Sequence, residues 1–144
     1  MIVNIKNIEI TKDKYEQLLN LYRNFGDIDA NILTLKKIKK IITDLKDNHL
    51  IFICIDNNVI IGSITLLIEQ KLIHNGKCVG HIEDFVIDIN NRNCGIGKLL
   101  LNHAINISKQ NNCYKCILDC DSNLENYYKK SGFIKKGIYM GIYF

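Results

Sequence analysis

Proline and tryptophan are both missing from this chain. Set beside its abundance of Asn, Ile and Lys, that gap reads as codon bias rather than function. No stretch approaches the ~18 continuous apolar residues that a membrane span requires. The N-terminus, MIVNIKNIEITKDKYEQ, has no basic region leading into an apolar one, so it is not read as a secretory signal. No basic stripe accompanies the net charge of +4; this falls short of a nucleic-acid footprint and suits an anionic small molecule. The densest basic run, Lys36-Lys37-Ile38-Lys39-Lys40, is interrupted by isoleucines at helical spacing and reads as the solvated side of an amphipathic helix.

The six cysteines lack the loop-rich setting of small disulfide-stapled domains. They read as reduced thiols of a cytoplasmic protein. Cys113 and Cys116 stand three apart on a predicted strand, so they are expected to face opposite ways. With no second close pair, a shared zinc is not expected, nor any other metal.

What is present is one domain's worth of chain, residues 1–144, with 47% hydrophobic and 24% charged residues. Residues 1–10 alternate as a first strand. Two amphipathic helices are predicted over 12–25 and 33–45. Apolar β-rich runs at 50–55 and 59–68 flank Asp56-Asn57-Asn58 and read as an antiparallel hairpin. A polar loop over 71–79, a strand over 80–89 and a helix over 95–111 follow. That helix is expected to bury Ile96, Leu99, Leu100, Ala104 and Ile107. A buried strand over 114–120, a short helix capped by Ser122 and ended by Gly132, and a last strand over 135–144 complete the order. Strands grouped ahead of a strand–helix–strand crossover predict an α/β fold: a mixed, mostly antiparallel sheet with helices on both faces.

The stretch NRNCGIGKLL, at 91–100, sits between the last of those central strands and its helix. It is not a Walker loop, since GxxxxGK[ST] is not met. It is not a dinucleotide fingerprint either, since the third glycine is missing. Glycines also mark ordinary tight turns. Here, though, the amides at the helix start are unencumbered at Gly95 and Gly97, and Arg92 and Lys98 add charge, which suits a diphosphate. Both readings are open on physics alone.

Arg92-Asn93-Cys94-Gly95-Ile96-Gly97 resembles the acetyl-CoA pyrophosphate loop of the GNAT superfamily of N-acetyltransferases. Tyr128-Lys129-Lys130-Ser131-Gly132-Phe133 resembles that superfamily's Y-x-x-x-G-F segment. Gly80-His81-Ile82-Glu83-Asp84-Phe85-Val86, Asn112-Cys113-Tyr114-Lys115-Cys116, Tyr139-Met140 and Lys71-Leu72-Ile73-His74 are similar to the glucosamine 6-phosphate N-acetyltransferase family within it. The likeness runs from about residue 63 to the C-terminus.

The resemblance implies a GNAT fold and direct attack of a sugar amine on acetyl-CoA, with no acetyl-enzyme and so no nucleophilic cysteine. It implies a bulge that turns Glu83 and Asp84 together toward substrate, Glu83 accepting the amine proton and Asp84 holding the amine or sugar hydroxyls. Backbone groups of Phe85, Val86 and Ile87 would pair with the pantetheine and offer an N–H to the thioester carbonyl. Arg92, Asn93, Cys94, Gly95, Ile96, Gly97 and Lys98 would hold the diphosphate. Tyr128 would donate to the departing thiolate, with Lys129 and Lys130 beside the cofactor and Tyr127 as the core member of the tyrosine pair. Lys71, Leu72, Ile73, His74, Tyr114 and Lys115, with Glu83, Asp84 and Phe85, would bind the sugar phosphate, Tyr114 and Lys115 across a homodimer interface.

The chain departs from the family pattern at four places. Asn93 stands where glycine is usual, and Leu124 where an asparagine is. Tyr143 replaces a basic residue, and no N-terminal substrate threonine has a counterpart around Asp27 to Asp29. Rival readings are a GNAT enzyme acting on another amine, a CoA-binding regulatory module without turnover, and a nucleotide-binding protein, for which both phosphate-loop patterns fail.

Overall fold

A computed structural model describes residues 1–144. Five strands form one sheet in the order β1-β2-β3-β4-β5: β1 (Ile2–Asn4), β2 (His49–Asp56), β3 (Val59–Gln70), β4 (Cys78–Ile87) and β5 (Cys113–Ile117). Every pairing is antiparallel except β4 with β5, which is parallel because α4 (Ile96–Gln110) crosses between them. Helices α1 (Lys12–Tyr22) and α2 (Leu35–Asp44) begin at Thr11 and Thr34, whose hydroxyls accept from Lys14 N and Lys37 N at 3.2 and 3.3 Å. The β2–β3 hairpin turns on Asn57 and Asn58, both at positive φ, as a two-residue loop requires.

Two apolar clusters lie on the two faces of the sheet. Ile10, Leu18, Leu21, Ile42, Ile53, Ile60 and Val86 pack on the α1/α2 side. Phe52, Ile64, Leu66, Ile82, Leu100, Leu101, Ala104 and Tyr128 pack on the α4 side. The mixed sheet with helices on both faces is the predicted one. No helix is long and apolar enough to cross a membrane.

Several local expectations are corrected. The first strand ends at Asn4, whose side chain accepts from Lys6 N at 2.9 Å and starts a 3-10 turn, Ile5–Asn7. The loop after β3 holds a short helical turn, α3 (Ile73–Gly76), in which His74 and Asn75 are left-handed. In α4 the buried stripe is Leu100, Leu101, Ala104 and Ser108, while Leu99 is solvent-exposed, so the helix is rotated from the expected face. β5 is only partly buried because it is an edge strand. Asp121, not Ser122, precedes the 3-10 turn Ser122–Leu124 that leads into α5 (Glu125–Lys129). Residues 135–144 form no strand and lie exposed, with Lys135 pairing with Glu125 at 3.4 Å. Cys113 and Cys116 both pack against the α4-side cluster, because one extra β5 residue, Tyr114, lies between the pairings Cys78↔Cys113 and Val79↔Lys115.

Candidate active site

The register of β3 with β4 jumps between Ser63↔Val86 and Thr65↔Glu83, inserting one residue on β4, and Asp84 there has φ 45°. Ile82 and Phe85, three apart, consequently both pack on the α4 side, and Val86 on the other. Glu83 pairs with Thr65, and cross-strand partners share a face. Thr65 and Asp84 both line a cavity under α1 and α2. A bulge thus turns two consecutive carboxylates to one face, which a regular strand forbids.

Burial, then the negative charges of Asp119 and Asp84, push the Glu83 carboxyl above its ordinary range, against the opposing pull of His81. Proton affinity moves in the direction a general base for an amine needs. Asp119, just past β5, is a residue that motif reading passes over; it acts on Glu83 from a distant part of the chain, which spacing does not reveal. Tyr22 and Ser63 were likewise missed. Their hydroxyls lie 2.8 Å apart beside the bulge, and burial raises the Tyr22 phenol.

β5 accompanies β4 only from Cys78 to His81. From residue 82 to 87 that edge of β4 has no strand beside it, so its backbone groups face the gap where the two strands part. At the end of β4, Asp88 Oδ1 accepts from Asn90 N and Asn91 Nδ2 at 3.0 and 2.9 Å, and Arg92 Nε donates to Ile87 O at 3.3 Å. Asn93 and Gly95 take positive φ, 63° and 82°. No side chain caps α4, leaving its first amides free, with Arg92 and Lys98 exposed at its mouth. A Cβ on Gly97 would stand 2.5 Å from the Tyr127 hydroxyl and 3.4 Å from Phe85 Cζ. An uncapped helix start, a glycine cradle and two cations fit the diphosphate of acetyl-CoA.

The tyrosine pair reverses the expected packing. Tyr128 is the core member, 9% exposed, and Tyr127 is 37% exposed, their rings meeting edge-on at 5.2 Å. Burial is the main cause that pushes the Tyr128 phenol up to about 12; nearby Cys120, Tyr127 and Asp119 add to it. It therefore keeps its proton and has it to donate in a hydrogen bond. Lys129 and Lys130 are exposed, and Lys129 pairs with Glu125 at 2.7 Å.

The residues expected at the sugar phosphate gather at the other end of β4. His74 lies against Tyr114 with centroids 4.1 Å apart, and Lys115 Nζ stands 5.4 Å over that ring. Lys71 Nζ lies 2.5 Å from Glu69 Oε1, and the other Glu69 oxygen is 2.7 Å from His81 Nε2. Leu72 and Ile73 are exposed. His81, tied to Lys71 through Glu69, is two residues from Glu83, about 7 Å at the usual ~3.3 Å rise. Within one chain, then, Phe85, Tyr128 and the glycine turn gather on the α4 side, Glu83 and Asp84 face the α1/α2 side, and Asp119 bears on both Glu83 and Tyr128. No group of three or more His, Cys, Asp or Glu side chains is placed to hold a metal ion.

A mostly antiparallel sheet opens between parallel β4 and β5, over an uncapped helix start. The chain belongs to the acetyltransferase (GNAT) family, whose model matches residues 12–133. It is 39% identical over 104 residues to the probable glucosamine 6-phosphate N-acetyltransferase 2 of Oryza sativa subsp. japonica, covering 69% of this chain and 63% of that one. It is 31% identical over 103 residues to the glucosamine 6-phosphate N-acetyltransferase of Schizosaccharomyces pombe, covering 72% and 84%. The chain spans 48% of the length of rice glucosamine 6-phosphate N-acetyltransferase 1 and 50% of the Trypanosoma brucei brucei glucosamine 6-phosphate N-acetyltransferase. Among solved structures, glucosamine-6-phosphate N-acetyltransferase from Arabidopsis thaliana superimposes with a TM-score of 0.90 at 28% identity, covering 100% of this chain and 97% of that one.

Proposed function

We propose that the chain is a single acetyltransferase domain that moves the acetyl group of acetyl-CoA onto the amine of D-glucosamine 6-phosphate, giving N-acetyl-D-glucosamine 6-phosphate and CoA, a step toward UDP-N-acetylglucosamine. The observation that carries the reading is the β4 bulge, which sets Glu83 and Asp84 on one face beside an open strand edge. The names of its relatives supply the acceptor.

In this reading the open edge of β4, at Phe85, Val86 and Ile87, pairs with the pantetheine arm, and one backbone N–H holds the thioester oxygen as charge develops on it. The turn from Arg92 to Lys98 takes the diphosphate. Asp84 holds the incoming ammonium, Glu83 takes its proton, and the nitrogen attacks the carbonyl carbon directly. Tyr128, protonated throughout, donates to the departing thiolate, whose free thiol has a pKa of about 8.5. Six unpaired thiols suit a reducing cytoplasm, and none is needed as nucleophile.

A homodimer completes the site. The partner copy supplies phosphate contacts from Tyr114 and Lys115, which lie on the strand at the sheet's edge. Two features support this. β5 has a free outer edge, and the exposed C-terminal segment carries Ile138, Tyr139, Met140, Ile142, Tyr143 and Phe144. Such a surface is costly in a monomer. The test is to incubate the protein with acetyl-CoA and glucosamine 6-phosphate and to identify the product by mass spectrometry. An N-acetylated sugar phosphate supports the reading; unchanged sugar with acetyl-CoA bound overturns it.

A further inference from the structure

The cavity that Asp84 and Thr65 help to line does not look like a sugar site. It measures about 490 Å³, within the range of small-molecule pockets, and ten of its fourteen lining residues are hydrophobic. Phe25 and Leu33 from the α1–α2 connection and Ile38 and Ile41 from α2 form its outer walls. Asp84 lies on the β4 side, and Asp27 is the other charged residue of the lining. Tyr22 also lines it, but its hydroxyl is engaged by Ser63 at 2.8 Å. A polyhydroxylated group lodged there would leave its hydrogen-bonding groups against hydrocarbon, which is unfavourable. A hydrocarbon chain ending in an ammonium matches both features: apolar walls for the tail, carboxylates for the head.

We propose that the chain also acetylates primary amines bearing an alkyl chain, the amine at Asp84 and the tail in this cavity. The proposal rests on the acetyl-transfer reading above and adds an acceptor class to it. The chemistry is the same. The amine nitrogen forms a C–N bond to the thioester carbonyl carbon, the C–S bond breaks, and the amine proton leaves through Glu83. The CoA sulfur leaves as a thiolate that accepts a hydrogen bond from Tyr128 and takes its proton from solvent, and the products are an N-alkylacetamide and CoA. Where the two acceptors differ is the remainder of the molecule. The sugar's phosphate reaches outward to a partner's basic cluster, and the alkyl tail turns inward under α2.

The test is thiol release from acetyl-CoA with butylamine, hexylamine and octylamine, run beside glucosamine 6-phosphate. Burial of each added methylene is expected to raise kcat/KM about fourfold, until the cavity is full. Ile41→Asn and, separately, Leu33→Asn put a polar group into the wall at positions that are not fully buried. Each should flatten the chain-length series and lower the octylamine to glucosamine 6-phosphate ratio at least tenfold. A flat series in the wild-type protein, with the sugar phosphate turning over, overturns this proposal alone. A steep series with no turnover of the sugar phosphate supports it and overturns the sugar acceptor. No release with any amine overturns both.

Discussion

Substituting alanine for Gly80 probes how closely α4 is seated on the strand that carries the site. A Cβ at Gly80 would stand 2.6 Å from Ser108 Oγ, 3.2 Å from Ser108 Cβ and 3.1 Å from Leu66 Cδ1. The leucine methyl can swing aside. Ser108 has less freedom, being 1% exposed with its hydroxyl donating to Ala104 O at 2.9 Å. Turning that hydroxyl away breaks the bond in a dry site, at about 1–3 kcal/mol. The contact that remains with Ser108 Cβ adds an overpacking cost of about 1–3 kcal/mol. Gly80→Ala should therefore destabilise by roughly 3 kcal/mol, lowering Tm by about 10 °C. Adding Ser108→Ala removes the closest atom, so the double variant should be more stable than the sum of the single changes by about 1 kcal/mol or more. Urea unfolding followed by circular dichroism measures all four proteins. A loss below about 0.5 kcal/mol for Gly80→Ala, or strict additivity in the cycle, would refute the packing of α4 on β4 described above.

Three further outcomes are expected. Glu83→Gln should lower kcat by about 10²- to 10⁴-fold, the usual worth of a positioned base, with KM for acetyl-CoA nearly unchanged in steady-state assays. Asp119→Asn removes a negative charge that raises Glu83's proton affinity. Glu83 then loses its proton at lower pH, so the acid limb of the kcat/KM profile should move downward; a limb that stays in place contradicts the coupling. Deleting residues 134–144 should turn a dimer into a monomer in sedimentation velocity while acetyl-CoA binding persists.

Much of this architecture is legible in the sequence. The hairpin can be read because Asn57-Asn58 is a turn pair between apolar runs, and α1 and α2 because threonines open periodic stripes. The glycine turn is legible because its chemistry is local: residues 92–98 are consecutive, and their amides converge where a strand hands over to a helix. The C-terminal strand is not, because a β-rich run forms a strand only if another strand lies beside it, and none does within this chain. The rotation of α4 escapes periodicity because Leu99 and Leu101 are interchangeable in an apolar pattern; which faces inward depends on Gly62 and Gly80 giving α4 room. The roles of Tyr127 and Tyr128 reverse for a similar reason, since adjacent tyrosines differ only in what the fold sets opposite them. Glu83 and Asp84 were found by family likeness, not by pattern, since strand alternation sends them to opposite faces. Asp119 and the Tyr22–Ser63 pair reach the site from distant parts of the chain and carry no local signal.

The most direct measurement is thiol release from acetyl-CoA, recorded in parallel with glucosamine 6-phosphate, with glucosamine and with no acceptor. The account predicts rapid release with the phosphorylated sugar, much slower release with glucosamine at equal concentration, and none without an acceptor. Equal rates with the two sugars would contradict a phosphate-binding role for Lys71, His74, Tyr114 and Lys115. No release with either sugar, from protein that binds acetyl-CoA, would contradict the assignment of the acceptor itself.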